Sequence, residues 1–222
     1  MFEDNHLIAV NKRAGQLVQG DRTGDVSLDQ TIRQYIKEKY KKPGDVFLGV
    51  VHRLDRPVSG VIVYARTSKA LSRMNDLFRD KQVKKVYWCV VKELPEPEEG
   101  RLRHYLIKNE SRNKSYAYDR PRSGAREAIL DYRLISRSDN YFLTEVHLHT
   151  GRHHQIRCQL AKIGSPVRGD LKYGYPRSNR DASISLHARS LEFLHPVRKE
   201  QLVLKAPVPP DPLWQVLSAG LE

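Results

Sequence analysis

Short apolar runs separated by polar turns are the feature that most constrains how this chain can fold. Seven runs have the length and composition of β-strands, and they cover residues 7–10, 47–51, 60–66, 86–91, 101–107, 128–135 and 141–149. Three further segments, which begin near residues 27, 67 and 155, carry apolar residues at helical spacing. No internal repeat or coiled-coil heptad is visible. The pattern predicts one α+β domain with a mixed, largely antiparallel sheet and flanking helices.

Two of the predicted helices have recognisable starts. Ser27 and Gln30 have the spacing of a capping box, in which each residue satisfies a backbone N–H of the other. The apolar face expected for this first helix consists of Leu28, Ile32, Tyr35 and Ile36. The second helix is expected to start after Thr67 and Ser68, and its expected buried residues are Leu71, Met74 and Leu77. The proline-rich tail is expected to form a strap.

The composition is strongly basic. The 222 residues include 39 Lys and Arg against 26 Asp and Glu, so the formal net charge at pH 7 is +13. A broad positive field attracts polyanions, and nucleic acid is therefore the favoured partner. The alternative is a surface whose excess cations only keep the protein in solution. Charge alone indicates a partner and not a reaction.

The cysteines and the N-terminus indicate a reducing compartment. Cys89 and Cys158 are the only cysteines, and they lack the paired spacing of zinc or redox sites. We expect both to be buried as small apolar residues. The N-terminus lacks the positive flank and the apolar stretch of a signal peptide, and no later segment has the length of a membrane span. A soluble, cytoplasmic protein is the expectation.

One segment between two predicted strands concentrates charged residues. If this segment is extended, Arg53 and Asp55 lie on one face, because side chains alternate along an extended chain. His52 and Leu54 then lie on the other face. The neighbouring cations Arg53 and Arg56 would favour the ionised form of Asp55 and keep it ready to act as a nucleophile or base. The alternative is an ordinary Asp that closes a turn with a salt bridge.

Five stretches, in one order, resemble a known family. Residues 52–60 read HRLDRPVSG and closely resemble the motif of the RluA-like family of RNA pseudouridine synthases. Four further stretches match in the expected order, at residues 2–12, 85–87, 151–157 and 169–174. The sequence departs from the family at Val58, where Thr is usual, and at Arg13, which replaces the Pro that commonly follows Lys12. A turn hydroxyl and a rigid corner are thereby lost.

The resemblance implies the roles of individual residues. In the family the motif Asp is catalytic, which gives that role to Asp55. Tyr87 matches the tyrosine that stacks against the target base, and Arg157 matches the arginine that pairs with the catalytic carboxylate. Arg53 matches the residue that enters the gap left by the flipped nucleotide. From the residues alone, the alternatives are a core aromatic for Tyr87, a helix-surface arginine that binds phosphate for Arg157 and an ion-pair partner of Asp55 for Arg53.

The resemblance also implies how the substrate is bound. The expected fold is a single catalytic domain over residues 1–222, with a central RNA-binding cleft and no appended N-terminal RNA-binding domain. The residues expected to bind substrate are His52, Arg53, Arg152 and Gln155. The expected partner is structured RNA, either rRNA or tRNA, and the enzyme is expected to be a monomer. No organic cofactor, nucleotide or metal is implied, and no phosphate-binding glycine loop is visible.

Histidines and basic clusters are further candidates for a site. Four histidines lie close together in sequence, namely His147, His149, His153 and His154. Their strand alternation, and a family stretch that needs no metal, argue against zinc. We expect them to be polar residues with satisfied hydrogen bonds or residues that face RNA. Asp170 and Tyr173 belong to a turn motif for which we expect a structural role. The basic clusters at residues 81–85, 112–114 and 177–180 are either phosphate contacts or solvated surface.

Two functions of other classes compete with this interpretation. A nucleic-acid glycosidase or nucleoside hydrolase also needs a carboxylate near the anomeric carbon, but it usually needs a second acid. The matched stretches near Asp55 supply only one. An RNA-binding or RNA-chaperone module without turnover has no need of Asp55, Tyr87 and Arg157 together. The sequence leaves three routes open to Asp55, namely attack on the sugar, attack on the base and removal of a sugar proton.

Overall fold

The computed structural model describes residues 1–221, which form strands and helices of an α+β protein. The chain divides into two compact units. The first unit contains residues 1–83 and 190–207, and the second contains residues 84–189 together with the residues from 208 onward. The α+β class is therefore confirmed. The single catalytic domain with its cleft, and the absence of an appended domain, stay predictions.

The first unit is built on antiparallel strands. β1 (Phe2–Glu3) pairs with β2 (Leu7–Lys12), and β2 pairs along its whole length with β4 (Ser59–Ala65). The short strand β3 (Gly49–Val50) also pairs with β4. Every residue of β4 is buried, so this strand lies at the centre of the unit. The loop between β3 and β4 contains Asp55 and is therefore attached to the best-packed part of the first unit.

Two helices accompany these strands. The capping box predicted for α1 (Leu28–Lys39) is present, because the Ser27 N–H donates to Gln30 Oε1 at 3.0 Å and the Ser27 side chain caps the helix in return. Leu28, Ile32 and Ile36 are buried as predicted. The prediction that Tyr35 is buried was wrong. Its ring is 43% exposed and its hydroxyl donates to Glu3 at 2.9 Å, since a phenol can remain at the surface when its polar end finds a carboxylate.

The second helix of this unit begins one residue before the predicted start. α2 (Ser68–Arg79) starts after Thr67, whose side-chain oxygen accepts from the Ala70 N–H at 3.2 Å. Met74 is fully buried, whereas Leu71 and Leu77 are only half-buried. The predicted face is therefore correct and its burial is shallower than expected.

The second unit contains five antiparallel strands. In spatial order they are β5 (Lys84–Val91), β9 (Phe142–Leu148), β8 (Arg126–Arg137), β6 (Glu99–Asn109) and β7 (Lys114–Tyr118). Strand β7 is the edge of this arrangement. It was missed in the sequence, where residues 112–114 read as a basic linker, because a five-residue edge strand with one buried polar residue lacks an apolar pattern.

Helices cover parts of both faces of these strands. α3 (Gln155–Lys162) packs against β6 and β7, and the core on that side includes Leu106, Ala128, Cys158 and Tyr173. α4 (Pro212–Ser218) lies in the tail that was expected to be only a strap. Its side chains join a second core, which includes Trp88, Val90, Leu143, Trp214 and Leu217.

The remaining strands were not predicted. β10 (Leu186–Leu194) continues from the second unit into the first, where its last residues pair with β11 (Gln201–Lys205). All seven predicted runs do contain a strand, although the run at 47–51 reduces to the two residues of β3. Within residues 1–221, no helix has both the length and the apolar character that crossing a bilayer requires.

Candidate functional site

Asp55 lies in the loop that joins β3 to β4 in the first unit. The chain turns directly after it, and the Val58 N–H donates to the Asp55 carbonyl oxygen at 3.0 Å. Leu54 is buried whereas Arg53 is exposed, which is the alternation predicted for this segment. The buried leucine therefore anchors the loop and leaves Arg53 accessible to solvent.

His52 fastens the beginning of the same loop. Its Nε2 accepts a hydrogen bond from the backbone N–H of Val63 in β4 at 3.1 Å. Its ring stacks on Phe78 of α2, with ring centroids 5.1 Å apart. A ring nitrogen accepts only when it carries no proton, so the neutral imidazole makes this bond. His52 is thus an anchor between β4 and α2, and its contact with substrate stays a prediction.

A buried lysine supports the turn after Asp55. Lys12, at the end of β2, is fully buried. Its ammonium donates to the carbonyl oxygens of Arg13 at 3.1 Å, Arg56 at 3.0 Å and Val58 at 2.6 Å. Burial lowers the pKa of Lys12 to about 8; the charge of Asp55 opposes this shift, and that of Arg56 adds to it. One cation therefore holds two carbonyl oxygens of the turn and ties the turn to the end of β2.

A tight corner lies beside this loop. The Gly15 N–H donates to the Arg56 carbonyl oxygen at 2.8 Å, and Arg56 Nε donates back to the Gly15 carbonyl oxygen at 3.0 Å. Gly15 has a φ of +87°, a conformation that favours glycine. The Arg13 N–H donates to Gln16 Oε1 at 2.8 Å, a bond that the proline of the family motif could not make. The Gln16 side chain therefore supports the corner in place of a proline.

Tyr87 lies on β5 in the second unit and is half-buried. Its neighbour Trp88 is buried on the opposite face of the strand, where its Nε1 donates to Glu145 at 3.1 Å. Tyr87 lies opposite Val146 of β9. The role of a core aromatic therefore fits Trp88 better than Tyr87.

Arg157 projects from α3 into a buried ion pair. Its Nε lies 2.7 Å from one carboxylate oxygen of Asp170, and its Nη2 lies 2.9 Å from the other. Both side chains are nearly inaccessible, at 5% and 1% exposure. Two parallel bonds fix the plane of a guanidinium as well as its position. This burial disfavours the alternative of a surface arginine, and the pairing of Arg157 with Asp55 stays a prediction.

Tyr173 links Arg157 to the edge strand β7. The Arg157 guanidinium lies 5.1 Å from the centre of the Tyr173 ring. The Tyr173 hydroxyl accepts from the Ser115 N–H at 2.8 Å and lies 3.0 Å from His154 Nδ1. Burial raises the pKa of Tyr173 well above its usual value, so the phenol remains neutral. Asp170 and Tyr173 therefore have the structural role that we expected, and this role is to hold the side chain of Arg157.

Arg152 and Gln155 organise the start of α3. Gln155 is buried, and its Oε1 accepts from the Arg152 N–H at 3.0 Å and from Thr150 Oγ1 at 2.8 Å. Gln155 Nε2 donates to the Ile129 carbonyl oxygen at 3.1 Å. Arg152 Nε donates to the Glu127 carbonyl oxygen at 2.9 Å. The side chains of both residues thus join α3 to β8, and their contacts with substrate stay predictions.

Comparison with known proteins decides the family. Residues 6–162 match the family described as RNA pseudouridylate synthase. The chain belongs to the RluA-like family of RNA pseudouridine synthases. Members of this family isomerise uridine to pseudouridine in RNA, and this pseudouridine synthase is an isomerase of that class.

Its relatives share the sequence over nearly the whole chain. The tRNA pseudouridine synthase C of Vibrio parahaemolyticus is 30% identical, and the alignment covers 100% of this chain and 94% of that protein. The ribosomal large subunit pseudouridine synthase D of Xylella fastidiosa is 34% identical, with 100% and 69% covered. The solved structure of human RNA pseudouridylate synthase domain containing 4 has a TM-score of 0.78 at 24% identity, over 94% of this chain and 88% of that one. This likeness confirms the predicted fold.

The histidines of this pseudouridine synthase bond to other side chains. His147 lies 2.9 Å from Glu145, and His149 lies 2.7 Å from Asp131. The rings of His153 and His154 are stacked, with centroids 3.7 Å apart. No group of three or more potential metal ligands occurs in the part of the chain from 1 to 221. The polar role predicted for these residues fits this arrangement.

Two residues of the site carried signals that the sequence interpretation did not use. Lys12 lies in the matched stretch 2–12 and received no role, and Asp170 lies in the matched stretch 169–174 and received only a structural role in a turn. Their partners are distant in sequence, since Lys12 bonds to a carbonyl 46 residues away and Asp170 pairs with a residue 13 positions away.

Both cysteines are buried as predicted, and burial raises the pKa of each thiol to about 12.

Proposed function

We propose that this chain isomerises a uridine of transfer RNA to pseudouridine, with Asp55 as the essential carboxylate. One observation carries the choice of RNA. Four relatives named tRNA pseudouridine synthase C align over 93% to 95% of their own length, whereas the ribosomal relative aligns over 69%. The net charge of +13 supports an RNA substrate.

The reaction is balanced within the nucleotide. The bond between carbon 1′ and N1 breaks, the bond between carbon 1′ and carbon 5 forms, carbon 5 releases a proton and N1 takes one up. No electron is gained or lost, so the isomerisation requires no redox cofactor. A stacked base cannot detach and turn, and the target must first leave the helix or loop. Asp55 then starts the cleavage by one of the three routes open to a carboxylate.

The other roles follow the matched motifs. Arg157 orients and stabilises the charged carboxylate, Tyr87 holds the uracil ring while it turns, and Arg53 assists flipping. The rigid holding of Arg157 by Asp170 supports its part in this proposal, because a guanidinium with a fixed plane loses little entropy when it binds a carboxylate. The exposure of Arg53 supports a contact with RNA. We take the enzyme to be a cytoplasmic monomer, which ultracentrifugation and cell fractionation would test.

Tritium release from transfer RNA labelled at carbon 5 of uridine tests the chemistry. Asp55→Asn removes the charge and keeps the shape, so it should abolish release while RNA binding and thermal unfolding stay close to wild type. The matched control is Asp45→Asn, an exposed aspartate of the same unit, which should release tritium at the wild-type rate. Wild-type release by Asp55→Asn would refute the assignment.

Mapping of pseudouridine in total RNA, with and without the gene, tests the substrate. Loss of one modified position in tRNA is the expected result. Loss confined to ribosomal RNA would show that the family assignment holds and the choice of RNA is wrong.

A further inference from the structure

One face of the second unit carries three half-buried tyrosines near the edge strand. Tyr105 of β6 lies directly opposite Tyr118 of β7, and Ile107 lies opposite Tyr116. Residues that are opposite each other in an antiparallel pair point to the same side of the sheet. We call Tyr105, Tyr116 and Tyr118 the tyrosine face. All three side chains are partly accessible to solvent.

The tyrosine face is the side of these strands that α3 does not cover. The alternating residues Leu106, Ser115 and Ala117 point to the other side, where the first two are buried and Leu106 packs with α3. Tyr87 belongs to that other side as well. It lies opposite Val146 of β9, which lies opposite Tyr132 of β8, which in turn lies opposite Gly100 of β6. Gly100 and Leu106 are an even number of residues apart on β6 and therefore share a side. The tyrosine face therefore lies away from the sheet face of Tyr87.

Cations are placed over the rings of this face. The Arg122 guanidinium lies 4.1 Å from the centre of the Tyr118 ring. The Lys114 ammonium lies 5.7 Å from the centre of the Tyr116 ring and 5.1 Å from that of Tyr173, so it lies between the two rings at the edge of the sheet. Within residues 1–221 neither cation forms an ion pair. The residues from 108 to 126 contain six Lys or Arg and two Asp or Glu, so the edge of the unit has a local excess of positive charge.

Carboxylates of the same face are already neutralised. Glu127 lies 2.6 Å from Arg103, and Asp131 lies 2.6 Å from Arg101. These exposed pairs add little stability, but they remove negative charge that would repel a polyanion. The surface that remains consists of aromatic rings with cations beside them.

We infer that the tyrosine face, with Lys114 and Arg122 beside it, is a second RNA-contact site that stacks unpaired nucleotides of the substrate. A base with a free face stacks on an aromatic ring, and a neighbouring cation holds its phosphate. Bases in a duplex have no free face, so this surface selects single-stranded segments. The identity of the RNA as the substrate rests on the proposed function. Because the face lies away from Tyr87, it contributes affinity and not chemistry.

Fluorescence anisotropy with labelled RNA of about 12 nucleotides tests the inference. The probes are a single strand of mixed sequence and a duplex of the same length. The double variant Tyr116→Leu/Tyr118→Leu should weaken single-strand binding by about 10-fold per ring, which corresponds to about 1.4 kcal/mol each. Tyr116→Phe/Tyr118→Phe should bind as wild type does, because stacking requires the ring and not the hydroxyl. Duplex binding should change little in either variant.

Charge variants keep the test valid if the leucine variant folds poorly. Arg122→Gln and Lys114→Gln should each reduce the slope of log affinity against log salt by about 0.7. Control variants in the first unit are Tyr35→Leu, which removes an exposed ring, and Lys205→Gln, which removes an exposed charge. Wild-type binding by both the leucine and the charge variants would overturn the inference. Changed sedimentation of the leucine variant with unchanged RNA binding would also overturn it, because the face would then be an interface between copies.

Kinetics separate this inference from the proposed function. The leucine variant should raise KM for tRNA and leave kcat for tritium release unchanged. A fall in kcat at unchanged KM would overturn the contact site while the synthase activity stands. Absence of release from tRNA by the wild type, together with weakened single-strand binding by the leucine variant, would refute the proposed function and support the contact site.

Discussion

The two units hold their candidate catalytic side chains in different ways. In the first unit a side chain fixes a backbone, since the Lys12 ammonium holds the carbonyl oxygens of Arg56 and Val58 in the turn that follows Asp55. In the second unit side chains fix a side chain, since Asp170 and Tyr173 hold the guanidinium of Arg157. A loop has no helix or strand of its own to define its shape, whereas α3 already defines where Arg157 begins.

This difference predicts whether a substitution in each support affects the reaction rate alone or the stability of the fold as well. Damage to the support of Asp55 should move the carboxylate as a whole and affect the rate. Damage to the support of Arg157 should release one side chain and leave a buried charge without its partner, which affects stability as well as rate. Three experiments distinguish the two kinds of support.

Lys12→Met should have the largest effect. It fills a similar volume but removes both bonds to the loop and the bond to Arg13. Displacement of a reacting group by about 1 Å can reduce turnover about 100-fold. We expect kcat for tritium release to fall by about this factor while KM changes little. The control is Lys37→Met, an exposed lysine of α1. Equal kcat values for the two variants would mean that the loop keeps its shape without the ammonium.

Asp170→Asn should have an intermediate effect on rate and a clear effect on stability. The amide can still accept one bond from Arg157, but the buried guanidinium loses its counter-charge. We expect kcat to fall about 10-fold and the free energy of unfolding to fall by about 2–3 kcal/mol. Asp139→Asn, an exposed aspartate of the same unit, is the control for denaturant unfolding. A variant with wild-type stability and a kcat as low as that of Lys12→Met would remove the distinction between the two supports.

The third and smallest effect is a dependence on pH. The pKa of Lys12 is about 8 in the folded protein against an ordinary value of 10.5, so the unfolded chain holds this proton to higher pH. Between those two values the free energy of unfolding should therefore rise with pH through this group. A neutral amine has only two N–H groups for three carbonyl oxygens, so kcat should fall a few-fold as pH rises through about 8.

Opposite trends of stability and rate would identify Lys12 as the group that titrates. Both are measured as the difference between wild type and Lys12→Met from pH 7 to about 10, which cancels the other groups. A stability difference that falls with rising pH would show that the ammonium keeps its proton in the folded state.

Local patterns predicted much of the fold, and distant contacts account for what was missed. The capping box of Ser27 and Gln30 involves residues three positions apart, and the alternation of Arg53 and Leu54 involves neighbours, so both were predictable. Tyr35 follows the helical period but finds a carboxylate 32 residues away. The bonds of Lys12 to the loop span 44 and 46 residues, and no local pattern encodes them.

At the candidate site, too, contacts between residues distant in sequence could not be predicted from local patterns. The family motifs identified Asp55, Tyr87 and Arg157, and their roles stay predictions. Those motifs also contain Lys12 and Asp170, but the physical task of each residue became evident only from its partners. Ser115 carried no signal at all, because a serine in a basic linker resembles solvated surface until β7 places its N–H against Tyr173.

Strand β7 performs two tasks that alternate residue by residue. The backbone N–H of Ser115 donates to the Tyr173 hydroxyl, while Tyr116 and Tyr118 belong to the tyrosine face. Adjacent residues share one backbone, so a change that detaches β7 from β6 would disturb both contacts at once. A side-chain substitution on the tyrosine face would leave the backbone contact with Tyr173 in place, so the two tasks are coupled through the pairing of the strand and not through its side chains.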